Sequence, residues 1–244
     1  MTFTSSRREP DIPLGKRPRK QQPRPFRPRE VRSAGVRPTK SLGQHFLSDW
    51  NVVHRIVSAT IGGPNDTVIE VGPGLGVLTQ SLAEQAGRLI AVEIDARLAR
   101  RLEAQFAEQP SVSVMERDVL GVTPETLLIE AGMAEDAPYR VVGNLPYNAG
   151  AAIVRHFLEA AHQPLSLVVM LQREVADSMV RGPGQMSLLG VSVQVYATAR
   201  KLFNVPPRAF YPPPKVTSGV VRLEVRPEPL VPREELEAFF RVVR

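Results

Sequence analysis

A chain of 244 residues with 43% hydrophobic content is long enough for one large domain, or for one large domain with a small appendage. Four histidines and no cysteine exclude disulfides and thiolate metal sites, and a reducing cytoplasm is the expected location. The net charge of +6 is uneven, because residues 1–40 carry 12 Lys and Arg against 3 Asp and Glu and the remainder is slightly acidic.

The basic segment also holds seven prolines and lacks hydrophobic periodicity, so residues 1–37 are expected to form a disordered tail. Such a polycation suits phosphate backbones, although a solvated extension is an equal reading. The stretch SDWNVVHRIVSAT, 48–60, predicts a helix capped by Ser48 with Val52, Val53, Ile56 and Val57 on one face. TVIEV (67–71) reads as a strand, VLTQSLAEQ (77–85) as a helix, RLIAVEI (88–94) as a strand and ARLARRLEAQFAEQ (96–109) as a helix. The alternation continues through the strands VSVME (112–116) and YRVVGN (139–144), a helix around Ile153 to Leu158, and the strand LSLVVML (165–171). This last is the longest apolar run, far too short to span a membrane. Strands alternating with helices predict a mostly parallel sheet covered on both faces. MSLLGVSVQVYA (186–197) suits a helix, whereas ARKLFNV (199–205) and SGVVRLEVR (218–226), flanking a proline-rich loop, predict an antiparallel pair at the sheet edge. After residue 226 a linker enters a helix with Leu236, Phe239, Phe240 and Val243 on one side, which reads as the opening of a small second domain.

Chemistry concentrates at the strand ends. EVGPGLGVLT (70–79) places Gly72, Gly74 and Gly76 between a strand and a helix, where a missing Cβ admits a ligand close to backbone N–H groups. The third glycine comes one residue too early for the dinucleotide fingerprint, and a ligand-free turn is the simpler alternative. Glu93, 21 residues after Gly72, ends the second strand where an acid accepts from both ribose hydroxyls. Asp118, past the third strand, can accept from an adenine amine, though either acid alone could be a solvated loop residue. Together the set fits S-adenosylmethionine.

The tetrad Asn144-Leu145-Pro146-Tyr147 ends the fourth strand. The resemblance set out below implies adenine N6 as the target, a poor nucleophile because its lone pair is delocalised, so a site that activates it needs acceptors and no donors. The Asn144 oxygen and the Leu145 carbonyl would be those acceptors, and Pro146 offers no N–H. Tyr147 offers a ring for a flipped base, with Phe210, or Tyr211 beside it, as the second wall. A turn-capping Asn and a packed Tyr are the plainer alternatives.

The segments KSLGQHFL (40–47), EVGPGLGVLT, AVEID (91–95), RDV (117–119), GNLPYN (143–148) and VPPRAFYPPPKVTSGVVRL (205–223) together resemble the ribosomal RNA adenine dimethyltransferases. The likeness is strongest to the bacterial small-subunit type whose loss gives kasugamycin resistance. It implies a Rossmann-like α/β methyltransferase fold over 38–226, with 227–244 as the linker and first helix of a helical C-terminal domain. It also implies transfer of methyl groups from S-adenosylmethionine to N6 of two adjacent adenosines near the 3′ end of 16S rRNA during ribosome biogenesis. The implied partner is the small ribosomal subunit, a monomer suffices, and neither metal nor membrane is called for. By the same resemblance His45, Leu47, Gly72, Gly74, Glu93, Asp118, Val119 and Asn144 contact the cofactor. Gly72 then lies at its methionine part, Glu93 at the ribose, Asp118 at the adenine and Asn144 near the methionine end. Lys40 and Lys215 are placed to meet RNA phosphates. Three rivals stay open: the macrolide-resistance methyltransferases of large-subunit rRNA, DNA adenine methylation, and an rRNA-binding assembly factor.

Overall fold

The computed structural model describes residues 44–243; the basic tail and Lys40 lie outside the described residues. Among the described residues nine strands and eight α-helices follow in chain order: β1 Phe46–Leu47, α1 Trp50–Thr60, β2 Thr67–Val71, α2 Val77–Ala83, β3 Arg88–Glu93, α3 Ala96–Phe106, β4 Val112–Glu116, α4 Pro124–Glu130, β5 Tyr139–Asn144, α5 Gly150–Leu158, β6 Ser166–Gln172, α6 Arg173–Val180, α7 Leu188–Tyr196, β7 Ala197–Val205, β8 Phe210–Tyr211, β9 Ser218–Val225 and α8 Leu236–Val243.

Seven strands form one sheet in the order β4-β3-β2-β5-β6-β9-β7. β2 to β6 run parallel, and β9 is antiparallel to both β6 and β7. The apolar runs are continuous because both faces are covered. In β6, Leu167, Val169 and Leu171 join the core beneath α4, α5, α6 and α7, while Val168 and Met170 point to the other core with residues of α1, α2 and α3. Each side chain alternates faces, so the run of apolar residues fills two cores at once.

The predicted strands match to within a residue or two, and α1 buries the four apolar residues expected of it. Its cap differs: Asp49, not Ser48, accepts from the Asn51 N–H. Ser48 is drawn away, since its N–H and hydroxyl both donate to the Ala209 carbonyl. Two helices escaped the sequence reading, α4 and α6. For α4 the signals were present, with Thr123 as cap, Pro124 in the first turn and Glu125 beside it. Leu236, Phe239 and Phe240 of α8 pack, partly buried, against the core that contains α5 and α7.

Candidate active site

β2, β3 and β5 adjoin in the middle of the sheet, so their C-terminal ends and the loops that follow share one rim. A cavity of about 240 Å³ opens there, lined by the glycine loop, Glu93, Asp118 and the tetrad after β5, with residues 44–47 crossing it as a strap. The arrangement unites His45, Leu47, Gly72, Gly74, Glu93, Asp118, Val119, Asn144, Leu145, Pro146 and Tyr147 around one space.

The turn after β2 depends on glycine. Gly72 and Gly74 have φ of 66° and 60°, in the left-handed region, and a Cβ on Gly74 would lie 3.1 Å from the Phe46 ring. The Gly74 N–H donates to Glu93 Oε2 at 2.9 Å, and the Asp95 N–H donates to Oε1 at 3.0 Å. Glu93 therefore ties the glycine loop to the start of α3, and each oxygen keeps one lone pair for a further donor. Burial raises the Glu93 pKa, with the Asp95 and Gly74 N–H groups holding it back and the Asp95 charge adding to the rise. Asp95 itself is held at about 2, first by Arg97, with burial opposing and Gln44 assisting. Gln44 Nε2 reaches Asp95 Oδ2 at 3.2 Å, which fastens one end of the strap.

Asp118 is exposed and caps a short 3-10 turn over Val119–Gly121, its Oδ1 accepting from Leu120 N–H at 3.0 Å. Val119 is buried beneath it. Two apolar side chains that the sequence reading passed over lie on the same rim: Ile94 is 53% exposed and Leu120 41%, and both line the cavity.

At the other end, Asn144 Nδ2 donates to the His45 carbonyl at 2.9 Å. That bond fixes the amide orientation, because the partner is a pure acceptor, and leaves Oδ1 without a hydrogen bond among the described residues. No backbone hydrogen bond ends on the Leu145 carbonyl among the described residues, whereas the Pro146 carbonyl accepts from Ala149 and Gly150 N–H and starts α5. His45 Nδ1 donates to the Pro212 carbonyl at 2.8 Å, and its ring centroid sits 5.9 Å from that of Tyr147. The Tyr147 hydroxyl meets Ser218 Oγ at 2.8 Å.

Phe210 is not brought to this cavity. It is 4% exposed and belongs to the core with Phe46 and Leu47, because β8 pairs with β1 and turns Phe210 inward opposite Leu47. Tyr211, the alternative, is partly exposed opposite Phe46. Lys215 is exposed in the proline loop. Among the described residues no three His, Asp or Glu side chains gather as metal ligands, and no helix is long and apolar enough to cross a membrane.

Beneath the glycine loop lies Glu70, 1% exposed. Burial pushes its carboxyl up to about 8, the Glu93 charge adds to the rise, and nearby Thr79 opposes it. Thr79 is close enough to temper the shift, yet among the described residues its hydroxyl and both Glu70 oxygens have no hydrogen-bond partner of ordinary geometry. A carboxyl with a raised folded-state pKa makes the folded chain bind more protons than the unfolded one between about pH 4.5 and 8, so stability falls as pH rises through that window. The neutral, near-isosteric Glu70→Gln is expected to flatten that fall, leaving the smaller slope of the same sign that Glu93 contributes. Urea denaturation of both proteins at pH 5 and pH 8 checks it, and an undiminished slope in the variant would place the titration elsewhere.

A family model described as ribosomal RNA adenine dimethylase matches residues 36–244. Among curated relatives, ribosomal RNA small subunit methyltransferase A of Dehalococcoides mccartyi is 42% identical over 205 residues, covering 84% of this chain and 69% of the relative. The protein of that name from Moorella thermoacetica is 42% identical over 219 residues, covering 88% and 76%. Among solved structures, the 23S rRNA methyltransferase ErmE is 32% identical with a TM-score of 0.69, covering 81% of this chain and 77% of its own. A dimethyladenosine transferase from Plasmodium falciparum shares the fold, with a TM-score of 0.70 at 23% identity over 82% of this chain and 70% of its own.

Proposed function

The chain belongs to the ribosomal RNA adenine dimethylase family, and from that premise we propose that it methylates N6 of two adjacent adenosines near the 3′ end of 16S rRNA in the small ribosomal subunit. Identity of 42% to small-subunit methyltransferases, against 32% to a large-subunit enzyme, favours this substrate over the macrolide-resistance alternative. Residues 38–226 are the catalytic unit in this reading.

The observation that carries the chemistry is an acceptor-rich corner at the end of β5. Asn144 gives one Nδ2 N–H to the His45 carbonyl and keeps Oδ1, no backbone donor among the described residues ends on the Leu145 carbonyl, and Pro146 has no N–H to offer. An adenine amine that donates both hydrogens to Asn144 Oδ1 and Leu145 O has its lone pair localised toward the cavity. Tyr147 supplies a face for the extruded base, worth on the order of 1–3 kcal/mol. Lys215 and the exposed Arg208 flank the proline loop and suit RNA phosphates.

The rest of the cavity fits S-adenosylmethionine. Its donor set is right: Glu93 retains lone pairs for two ribose hydroxyls, and Asp118 Oδ2 remains for an exocyclic amine. The exposed Ile94 and Leu120 offer apolar surface to a purine ring, and the glycine turn, Leu47 and His45 enclose the remainder. Bound there, the cofactor supplies a methyl group on a sulfonium whose departure leaves a neutral thioether. The residues of this chain would then act by orientation, and the proton that N6 sheds as each N–C bond replaces the S–C bond would pass to solvent. Neither a nucleophilic side chain nor a metal is required by this scheme.

Nucleoside mass spectrometry tests the reading after incubation with S-adenosylmethionine and undermethylated small subunits, beside naked large-subunit RNA and duplex DNA. Dimethyladenosine in the small-subunit sample alone is expected. Product confined to the large-subunit RNA would move the chain to the rival substrate.

A further inference from the structure

We propose that Ser218 is a positioning residue for the target base: its buried hydroxyl tethers Tyr147 and so sets the plane on which the base stacks. The inference rests on the reading of Tyr147 as that platform.

Tyr147 lies in the turn between β5 and α5, half-buried and on the cavity wall. Ser218 opens β9, two strands away, opposite Gln172 of β6 and Val205 of β7. The 2.8 Å hydroxyl pair thus spans β6 at the rim of the sheet and joins the tetrad to the strand after the proline loop. Ser218 is 0% exposed, and among the described residues its Oγ bonds to nothing else. Buried hydroxyls without a partner are costly, so each of the two holds the other in place. The tether also engages the Tyr147 hydroxyl, with either oxygen able to donate to the other. The His45 ring, its Nδ1 committed to the Pro212 carbonyl, sits 5.9 Å away and tilted by 32°, so the platform is tethered at its tip beside a fixed neighbour.

A displacement of the platform by a fraction of an ångström moves N6 off the line of attack without touching the cofactor pocket. Ser218→Ala is therefore expected to lower kcat about tenfold on small subunits while cofactor affinity stays at the wild-type value. Tyr147→Phe, which keeps the ring and removes the tether from the other side, is expected to lose the same factor. In the Tyr147→Phe background Ser218→Ala should cost nothing further, an outcome that a merely structural serine does not produce. Wild-type kcat for Ser218→Ala, or losses that multiply in the double variant, would overturn the tether. Should Ser218→Ala fold poorly, as thermal melting would reveal, Tyr147→Phe at full kcat overturns it alone. Tyr147→Ala separates the two layers: no loss of turnover there overturns the stacking reading and the tether with it. A crippled Tyr147→Ala beside an unimpaired Ser218→Ala overturns the tether only.

Discussion

Asn144→Ala is expected to lower methyl transfer by on the order of 10²-fold or more, with RNA affinity nearly unchanged, because it removes a preorganised acceptor that matters as N6 becomes nucleophilic. The Asn144 amide is held from behind: one Nδ2 N–H is given to the His45 carbonyl, so Oδ1 is presented without the cost of ordering it during reaction. Truncation removes that oxygen and also frees the His45 carbonyl, which loosens the strap over the cofactor cavity. The two effects are separable. Single-turnover rates at saturating cofactor report the lost acceptor, while calorimetric cofactor affinity reports the strap. A large fall in the rate with a small fall in cofactor affinity is the expected pattern. Parallel losses of rate and RNA binding would make Asn144 a structural cap of the β5 turn, and an intact rate would remove it from the chemistry.

Much of this site was legible because strand ends are legible. Short apolar runs bounded by Gly, Glu, Asp and Asn mark where the sheet stops, and in a parallel sheet those stops share one rim. Glu93 and Asp118 could therefore be brought to Gly72 from spacing alone. What stayed hidden depends on pairing across long stretches of chain. β1 and β8 are two residues each, too short for any periodicity, yet their antiparallel contact turns Phe210 into the core and leaves Tyr211 partly exposed. Ser218 reads as an ordinary strand residue until β9 is seen to begin beside Tyr147. Ser48 and Asp49 are equally good caps by type, and only the Ala209 carbonyl, 161 residues on, decides between them. Ile94 and Leu120 left a fainter signal, apolar residues just past an acidic strand end, where solvent-facing loops are usually polar.

Glu93→Ala is expected to weaken S-adenosylmethionine binding by roughly 1–3 kcal/mol, the range for leaving hydroxyls unpaired in a buried site. The carboxylate does two tasks at once. Each oxygen already accepts one backbone N–H, from Gly74 or Asp95, so the side chain shapes the glycine turn before any ligand arrives. Glu93→Gln separates the tasks, because an amide has one acceptor oxygen and one donor nitrogen. Whichever way it lies, its NH₂ faces a backbone N–H, and either the Gly74 turn or the start of α3 loses its anchor. The glutamine variant is thus expected to bind little better than the alanine one, despite its similar volume. Calorimetric titration of both variants checks this. Unchanged affinity for Glu93→Ala would refute the ribose assignment. Near-wild-type affinity for Glu93→Gln would show that the two backbone bonds are not what holds the pocket open to the ligand.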